Sequence, residues 1–473
     1  MGKRLVFCFD GTGNKVDAPY PTNVVILAAS IAHEDRAGMS QIVHYDEGVG
    51  TKSGNKLLGG AFGRGLFDNI AQAYSFLVFN YHPGDEIFIF GFSRGAYTAR
   101  SFAGMINYCG IIDRCFANQI PATVKFYKER EKGSSNCTEA MMRWRESYAF
   151  NSFVCDEEAD WRRQRNSTAK TSPEAKISIR YIGVWDTVKT LGSAFFGRDD
   201  DGNGDPDEFE FHDHDLNSNV HSARHAVAID ERRKKFNVTL WDNIAELNQA
   251  SGVDPADPDA RFQQRWFPGD HGSVGGGGDV RGLSDEGFEW VVAGARKAGL
   301  HLYTISQSKV FGLQPDPLAP TPNITEKKRK KGFFSLVMSH LPEADRVGPQ
   351  HAYEIAQSTV VRWAAPASMF AEETLYRPGS LANVSSVLDT LAADFTEADF
   401  ARRQTYLRAD GDTLPEVTGF TLHAVTDTDT LGGLAQHYLG DAARHPEIVA
   451  ANATMVIDPN RIYRNQILII PEA

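Results

Sequence analysis

Three residues of this chain have the types that nucleophilic acyl transfer requires: Ser93, Asp186 and His271. A serine hydroxyl is a weak nucleophile, so it needs a histidine base, which in turn needs an acid to orient it. Each of the three residues stands at or just after the end of an apolar stretch of strand type. The sequence therefore predicts a serine nucleophile, an imidazole base and an orienting carboxylate.

The serine lies in the most informative stretch, EIFIFGFSRGAY at residues 86–97. A short apolar strand leads into Gly91-Phe92-Ser93-Arg94-Gly95, and a helix is predicted from Ala96 onward. G-x-S-x-G between a strand and a helix is the nucleophile-elbow context, in which glycines permit a sharp turn. The alternative is a serine that only caps the helix.

The acid and the base follow later strands in the order Ser–Asp–His, which is that of α/β hydrolases. Asp186 ends KISIRYIGVWD and His271 follows RFQQRWFPGD. Ligands of open α/β sheets bind at the carboxyl ends of strands. The alternatives that stay open are Asp230 for the acid and His225 or His301 for the base.

Two backbone N–H groups are expected to stabilise the oxyanion. One is that of Arg94, directly after the nucleophile, and the other comes from Gly11-Thr12 in the loop after the first strand. The alternative for this loop is an Asp-Gly turn without a ligand.

The elements that must position these residues alternate between strands and helices, which predicts a mostly parallel sheet covered on both faces. Strands are expected at residues 4–9, 41–45, 86–90, 176–184 and 261–267. Residues 219–236 are expected to form a helix, and residues 121–165 a charged helical insertion or cap. The fold class is α/β.

Composition excludes several classes of protein. A net charge of -12 argues against a nucleic-acid partner, and no apolar run is long enough to span a bilayer. The first apolar run ends at Asp10, so it is read as a strand rather than a signal peptide. The five cysteines form no close metal-type pair and are expected to be reduced, as in a protein made in the cytoplasm.

An acidic loop matches the calcium pattern D-x-[DN]-x-[DN]-G-x5-E. Its oxygen ligands would come from Asp199, Asp201, Asn203, Asp205 and Glu210. The alternative is an exposed acidic loop that binds no ion.

A basic run, KKRKK at residues 327–331, precedes the apolar segment GFFSLVMSHL. Such a segment can bind anionic headgroups and insert Phe333, Phe334 and Leu336 into a lipid surface. The alternative is a loop followed by a core helix.

Six motifs occur in order in the chain, and together they resemble the type VI lipase effector family of bacterial α/β hydrolases. The motifs are FDGTGN (9–14), YDEGVGT (45–51), GFSRGAYTAR (91–100), GVWDTV (183–188), HAVAIDERRKKF (225–236) and WFPGDHGSVGGG (266–277). The resemblance covers residues 3 to 375. It implies a Ser93–Asp186–His271 triad, phospholipase A activity on glycerophospholipids, and delivery into rival bacteria by a contractile secretion machine.

The C-terminal segment predicts strand, helix, helix, strand over residues 419–471 and resembles a LysM module. TDTL at 428–431 stands where that family usually has Gly-Asp-Thr-Leu, and NQILIIP closes the segment. The resemblance implies binding to N-acetylglucosamine glycans such as peptidoglycan; the alternative is a protein-docking role.

These observations predict a catalytic domain with helical insertions at 1–378, a linker at 379–417 and a LysM-like domain at 418–473. We expect a serine esterase that cleaves phospholipid acyl esters at a membrane surface and needs no cofactor. A secretion machine and an immunity protein are the expected protein partners, and the target-cell periplasm the destination. A carboxylesterase or thioesterase for small soluble esters is one alternative, and a glycan-binding protein with a non-catalytic hydrolase scaffold is another.

Overall fold

Six parallel strands form the main sheet in the part of the chain that the computed structural model describes, in the order β2-β1-β3-β4-β5-β6. The strands are β1 (Arg4–Phe9), β2 (Gln41–Asp46), β3 (Glu86–Phe92), β4 (Ile179–Trp185), β5 (Ala223–Ala228) and β6 (Phe262–Phe267). The described residues are 2–11, 14–18, 20–48, 59–130, 135–165, 167–188, 215–217, 219–278, 280–303, 313, 315–321, 343–370, 373–396, 420–426, 428–452, 462 and 467–471.

Helices cover both faces of this sheet. They are α1 (Asn23–Ser30), α2 (Gly59–Asn80), α3 (Arg94–Cys109), α4 (Ile120–Lys128), α5 (Glu139–Tyr148), α6 (Asp156–Gln164), α7 (Ile244–Ala250), α8 (His271–Gly275), α9 (Gly282–Lys297), α10 (Gln357–Ala364) and α11 (Ser385–Ala392). The predicted α/β class with a parallel sheet is therefore confirmed.

The side chains of β1 point alternately into two hydrophobic cores, one on each face of the sheet. Phe7 and Phe9 belong to the core shared with α2 and α3, whereas Val6 and Cys8 belong to the core shared with α1 and α9. Because both faces are covered, the strand is apolar at consecutive positions instead of every second one.

The sheet order places a topological switch between β1 and β3. The chain steps from β1 outward to β2 and then crosses to β3 on the other side of β1. The loops after β1 and β3 diverge at such a point and leave a crevice at the carboxyl edge of the sheet.

The helix predicted for residues 219–236 is wrong: this range contains no α-helix, and its only helical residues are a 3-10 turn at Lys234–Phe236. Residues 223–228 form β5, which pairs in parallel with β4 and β6. The segment is short and apolar, with a buried His225, and such runs cannot be distinguished from helices by periodicity alone. Burial between two strands decided its structure.

The structure also differs from the predicted linker at 379–417. Residues 379–384 form a 3-10 turn that continues into α11, and Leu381, Val384 and Leu388 are buried in one core with Val227 and Trp266. Residues 379–392 therefore pack with β5 and β6, because their apolar positions lie on one side of the helical segment. Residues 397–417 lie outside the described residues.

The expectation of five reduced cysteines is wrong for two of them. Cys137 and Cys155, which are 18 residues apart in sequence, form a disulfide between the segments that lead into α5 and α6. Cys8 and Cys109 are free and buried, and Cys115 is free and exposed. The spacing gave no sign of the pair because the packing of two helices creates it.

The C-terminal segment has the predicted strand, helix, helix, strand order. Its elements are β7 (Phe420–Ala424), α12 (Leu431–Leu439), α13 (His445–Ala451) and β8 (Ile467–Pro471), and β7 and β8 pair antiparallel. Leu434, Ile448, Leu468 and Ile470 lie in its core. The order of elements is confirmed, while the assignment to LysM modules stays a prediction.

Candidate active site

Ser93 lies at the carboxyl end of β3, in a turn that requires glycine two residues before it and two residues after it. Its φ is 58° and its ψ is -124°, a sparsely populated conformation for a residue with a side chain. A Cβ on Gly91 would stand 2.5 Å from the carbonyl oxygen of Gly95, and one on Gly95 would stand 2.2 Å from that of Phe9. The predicted sharp turn is present, and it directs the hydroxyl away from the strand.

His271, the first residue of α8, contacts the serine and the aspartate together. Its Nε2 lies 2.7 Å from Ser93 Oγ and its Nδ1 lies 2.6 Å from Asp186 Oδ2. An ionised carboxylate only accepts, so Nδ1 donates to it and Nε2 is left to accept the serine proton. Phe92 and Phe236 pack against the imidazole at centroid distances of 4.7 and 4.9 Å and shield it from water.

The turn into α8 fixes the backbone of this histidine. The Asp270 carboxylate accepts from the Ser273 backbone N–H at 2.8 Å and so caps the short helix. Asp270 thus has a structural role beside His271.

Asp186 directly follows β4 and is fully buried. Its Oδ1 accepts from the Ala228 backbone N–H at 2.9 Å and from Arg346 Nη1 at 2.6 Å, while Arg346 Nη2 lies 3.0 Å from Oδ2. Burial would raise the pKa of this carboxyl, but the charge of Arg346 and the hydrogen bonds from His271 and Arg346 hold it well below its usual range. Asp186 therefore stays ionised.

Arg346 was not found from the sequence. It lies 160 residues beyond Asp186, in a segment that matches no motif. Its guanidinium also donates to the carbonyl oxygens of Ala228 at 2.8 Å and Phe236 at 2.6 Å. No local pattern could have revealed this contact, because it depends on how the chain after 342 packs.

The loop after β1 lies beside the serine, as predicted. A Cβ on Gly11 would be 3.4 Å from Ser93 Cβ. The Gly11 backbone N–H, however, donates to Asp10 Oδ1 at 2.6 Å, so it is directed to this carboxylate instead of to an oxyanion. Thr12 lies outside the described residues, and Arg94 is the first residue of α3.

Asp10 is the centre of a buried network that shapes this loop. It accepts from Asn14, Thr22 and Tyr45 side chains at 3.2, 2.8 and 2.9 Å, besides Gly11. Burial raises the pKa of the Asp10 carboxyl even though these hydrogen bonds favour its charged form. The network ties the loop to α1 and β2.

The alternative acid and bases have other partners. Asp230 accepts from the Gly269 backbone N–H at 2.6 Å and from Tyr376, so it braces the turn before His271. His225 is fully buried: its Nε2 accepts from the Thr187 N–H at 3.1 Å and its Nδ1 pairs with Gln264. Burial, and then the charge of Arg100, lower the pKa of His225 to about 3, so it is a neutral structural residue.

His301 lies away from the serine. Its backbone N–H and carbonyl bond the Gln41 side chain at the start of β2, at 2.9 and 2.7 Å, which is the opposite edge of the sheet from the strand ends that carry Ser93 and Asp186. Of the three candidate histidines, His271 is the one that the structure brings to Ser93, while His225 and His301 have other partners.

The predicted calcium ligands at 199–210 and the basic apolar segment at 327–341 lie outside the described residues. Among the residues that are described, one group of three could approach a metal ion together: Cys137, Cys155 and Glu157. The two cysteines are bonded to each other, so they do not offer thiolates. No helix in the described ranges combines the length and apolar character needed to cross a membrane.

The sequence of this chain matches that of a known protein family over more than half of its length. The family described as "T6SS, Phospholipase effector Tle1-like, catalytic domain" matches residues 3–294. These residues include the serine, aspartate and histidine that meet at the sheet edge but not Arg346.

The individual proteins that resemble this chain share only low sequence identity with it. The chain is 28% identical over 251 residues to the uncharacterized protein YEL023C of Saccharomyces cerevisiae, which covers 50% of this chain and 32% of that protein. A structure titled as the Tle1 effector bound to the VgrG spike from the type 6 secretion system is 18% identical, with a TM-score of 0.29, over 58% of this chain and 51% of that chain. An uncharacterized protein from Pseudomonas aeruginosa is 15% identical, with a TM-score of 0.33, over 85% of this chain and 61% of that one. This chain thus spans about a third of the yeast protein and about half of the Tle1 chain.

Proposed function

The chain belongs to the family of Tle1-like phospholipase effectors of type VI secretion through its catalytic domain, and from this premise we propose that it is a serine hydrolase that cleaves the acyl esters of glycerophospholipids. The observation that supports it best is the continuous set of hydrogen bonds from Ser93 Oγ through His271 to Asp186, at 2.7 and 2.6 Å. This order of contacts is the one in which a base activates a hydroxyl and an acid orients the base.

In this mechanism Ser93 Oγ attacks the ester carbonyl carbon while His271 Nε2 takes its proton. The imidazolium then gives that proton to the departing alcohol, and an acyl-enzyme remains on Ser93. Water, deprotonated by the same nitrogen, releases the fatty acid and restores the serine. Asp186 stays ionised and stabilises the imidazolium throughout.

The tetrahedral oxyanion needs N–H donors close to Ser93. We propose the Arg94 backbone N–H for one of them, and the Gly11-Thr12 loop for the second. Because the Gly11 N–H is held by Asp10, it serves only if this bond opens when substrate binds, which leaves the Thr12 N–H as the simpler donor. The chemistry needs no cofactor, since the three side chains supply nucleophile, base and charge.

The phospholipid substrate is supported by the family's description, and we propose phospholipase A specificity within it. The wider role is a proposal of the same kind: an antibacterial effector carried by a secretion machine into the periplasm of a target cell and neutralised by an immunity protein in the producer. The LysM-like segment would hold it on peptidoglycan, and the loop with Asp199, Asp201, Asn203, Asp205 and Glu210 would bind Ca²⁺.

Labelling with a fluorophosphonate tests the enzyme class. We expect wild type to be labelled and Ser93→Ala to be unlabelled, while Ser101→Ala keeps labelling because that hydroxyl donates to the Tyr97 carbonyl within α3. Absence of labelling in folded wild type would favour the non-catalytic scaffold.

Product analysis then tests the substrate. Vesicles of phosphatidylglycerol and phosphatidylethanolamine with different acyl chains at the two positions should yield one free fatty acid and a lysophospholipid. Hydrolysis of soluble short-chain esters or thioesters, with no product from vesicles, would favour the carboxylesterase or thioesterase instead.

A further inference from the structure

Asp186 has a partner that a serine–histidine–aspartate arrangement does not require. Arg346 faces the carboxylate with both terminal nitrogens, Nη1 at 2.6 Å from Oδ1 and Nη2 at 3.0 Å from Oδ2. Both side chains are almost completely buried, 3% and 0% exposed. A forked pair of this kind fixes the plane of the carboxylate as well as its charge.

Other contacts hold the guanidinium in this position. It donates to the carbonyl oxygens of Ala228, at the end of β5, and Phe236, the residue that packs on the His271 ring. Arg346 therefore joins the acid, the strand next to it and the aromatic wall of the base.

The backbone around Arg346 is attached to the same loop. The Ala344 N–H donates to the Arg232 carbonyl at 2.8 Å, Glu343 forms a bridge with Arg233, and Asp345 pairs with the Arg232 side chain at 3.0 Å. Residues 343–346 thus form a short strap across the 229–236 loop, with Arg346 as its buried end.

We propose that Arg346 is a positioning residue for the triad, which aligns the Asp186 carboxylate toward His271 Nδ1 and offsets part of its negative charge. This inference rests on the proposed function, since it assigns a role within that reaction. The two effects have different consequences for the rate. Alignment favours the reactive tautomer of His271 and raises the rate at every pH, whereas the offset of charge weakens the attraction between the Asp186 carboxylate and a charged imidazole, so that only this second effect depends on pH.

The other charged groups near His271 stay unchanged when Arg346 is replaced. The Glu231 carboxylate accepts weakly from the His271 backbone N–H at 3.4 Å and is paired with Arg233. Asp270 caps α8, and His225 is neutral and bonded to Thr187. A change in pH dependence on replacing Arg346 therefore reports on the Asp186–Arg346 pair.

The test measures the rate constant of fluorophosphonate labelling of the full chain between pH 5 and 9. For Arg346→Gln we expect a labelling rate about 10²-fold lower at pH 8. The acidic limb of its pH profile, where the rate falls as pH decreases, should move up by about 1 pH unit, because the unbalanced Asp186 charge favours the imidazolium form of His271. Arg346→Lys keeps the charge without the fork, so its limb should stay close to that of wild type while its rate falls.

The matched control is Arg145→Gln. Arg145 is also fully buried and paired with a carboxylate, Glu158 at 2.8 Å, but it lies in α5. The Arg145→Gln variant should lower the stability of the fold and leave the acidic limb of the pH profile at the wild-type position.

An Arg346→Gln profile with an unmoved limb overturns the proposal, and so does an equal shift in Arg145→Gln. If Arg346→Gln does not fold, Arg346→Lys decides: labelling as fast as that of wild type overturns the alignment role. Unlabelled, folded wild type would instead be a failure of the proposed function itself.

Discussion

The backbone N–H of Ser93 donates to the carbonyl oxygen of Trp185 at 3.0 Å. Trp185 directly precedes Asp186, so the hydrogen-bond ladder between β3 and β4 continues to the residue that carries the hydroxyl. Parallel register therefore sets the separation of Ser93 and Asp186, and α8 has only to bring His271 between them. This pair of hydrogen-bonded strands explains how residues 93 positions apart in the chain can be held in a fixed geometry.

Replacing the acid tests its assignment directly. Asp186→Asn should lower kcat on a soluble ester by about 10³-fold or more, because an amide cannot hold Nδ1 as the donor and leaves the buried Arg346 charge unbalanced. The control is Asp160→Asn in α6, an exposed carboxylate that should leave kcat unchanged. Wild-type turnover in Asp186→Asn would assign the acid to another residue.

The elbow depends on the absence of a side chain at position 95. Gly95→Ala would place a Cβ within 2.5 Å of the carbonyl oxygens of Phe9 and Asp10, both backbone atoms that cannot rotate away. We expect a loss of unfolding free energy of about 3 kcal/mol and loss of labelling. Gly287→Ala in α9 is the matched control, since its Cβ would meet its nearest neighbour at an ordinary 3.4 Å. Equal stability of the two variants in denaturant titrations would contradict this account.

The helical layer contains a buried ionic triad of Arg145, Glu158 and Arg162. Glu158 accepts from both arginines, at 2.8 and 2.7 Å, and all three side chains are fully buried. Glu158→Gln leaves two buried cations without a counter-charge and should lower the free energy of unfolding by about 3–5 kcal/mol. Glu139→Gln, which breaks the exposed pair with Arg143, should change it by less than about 1 kcal/mol. Similar midpoints for both variants in urea would show that the buried triad adds little.

Glu286 should make stability decrease as pH rises. It is buried in α9, and burial, followed by the negative charges of Asp316 and Asp285, raises its pKa well above the usual range. A raised pKa means that the folded state favours the neutral form, so its contribution is fully present below the unfolded pKa of about 4.3 and is lost as pH rises through the folded value.

Glu286→Gln should therefore gain stability over wild type with rising pH, by up to about 1.4 kcal/mol per pH unit within that window. Urea unfolding at pH 4, 6 and 8 measures it. A stability difference that does not vary with pH would mean that Glu286 is not held neutral by the fold. Glu246→Gln, at an exposed position in α7, is the control and should show no such trend.

Local sequence was sufficient for the central part of the site. The elbow at Gly91–Gly95 was predictable because the steric demands of a sharp turn select glycine, and strands β1, β3 and β4 because buried parallel strands are almost continuously apolar. Local sequence also predicted the edge strands β2 and β6, although they contain several polar residues. It was insufficient for β5, whose short run fits a strand or a helix until its neighbours bury both of its faces.

By itself, then, the sequence determined the α/β class, the serine in its turn and the order in which an acid and a base follow it, since each depends on residues close together in the chain. Only the tertiary structure selected His271 over His225 and His301, placed Arg346 on Asp186, joined Cys137 to Cys155 and packed residues 379–392 beside β5. These contacts join segments far apart in the chain. Their geometry is set by packing and burial, and no local pattern of residue types encodes it.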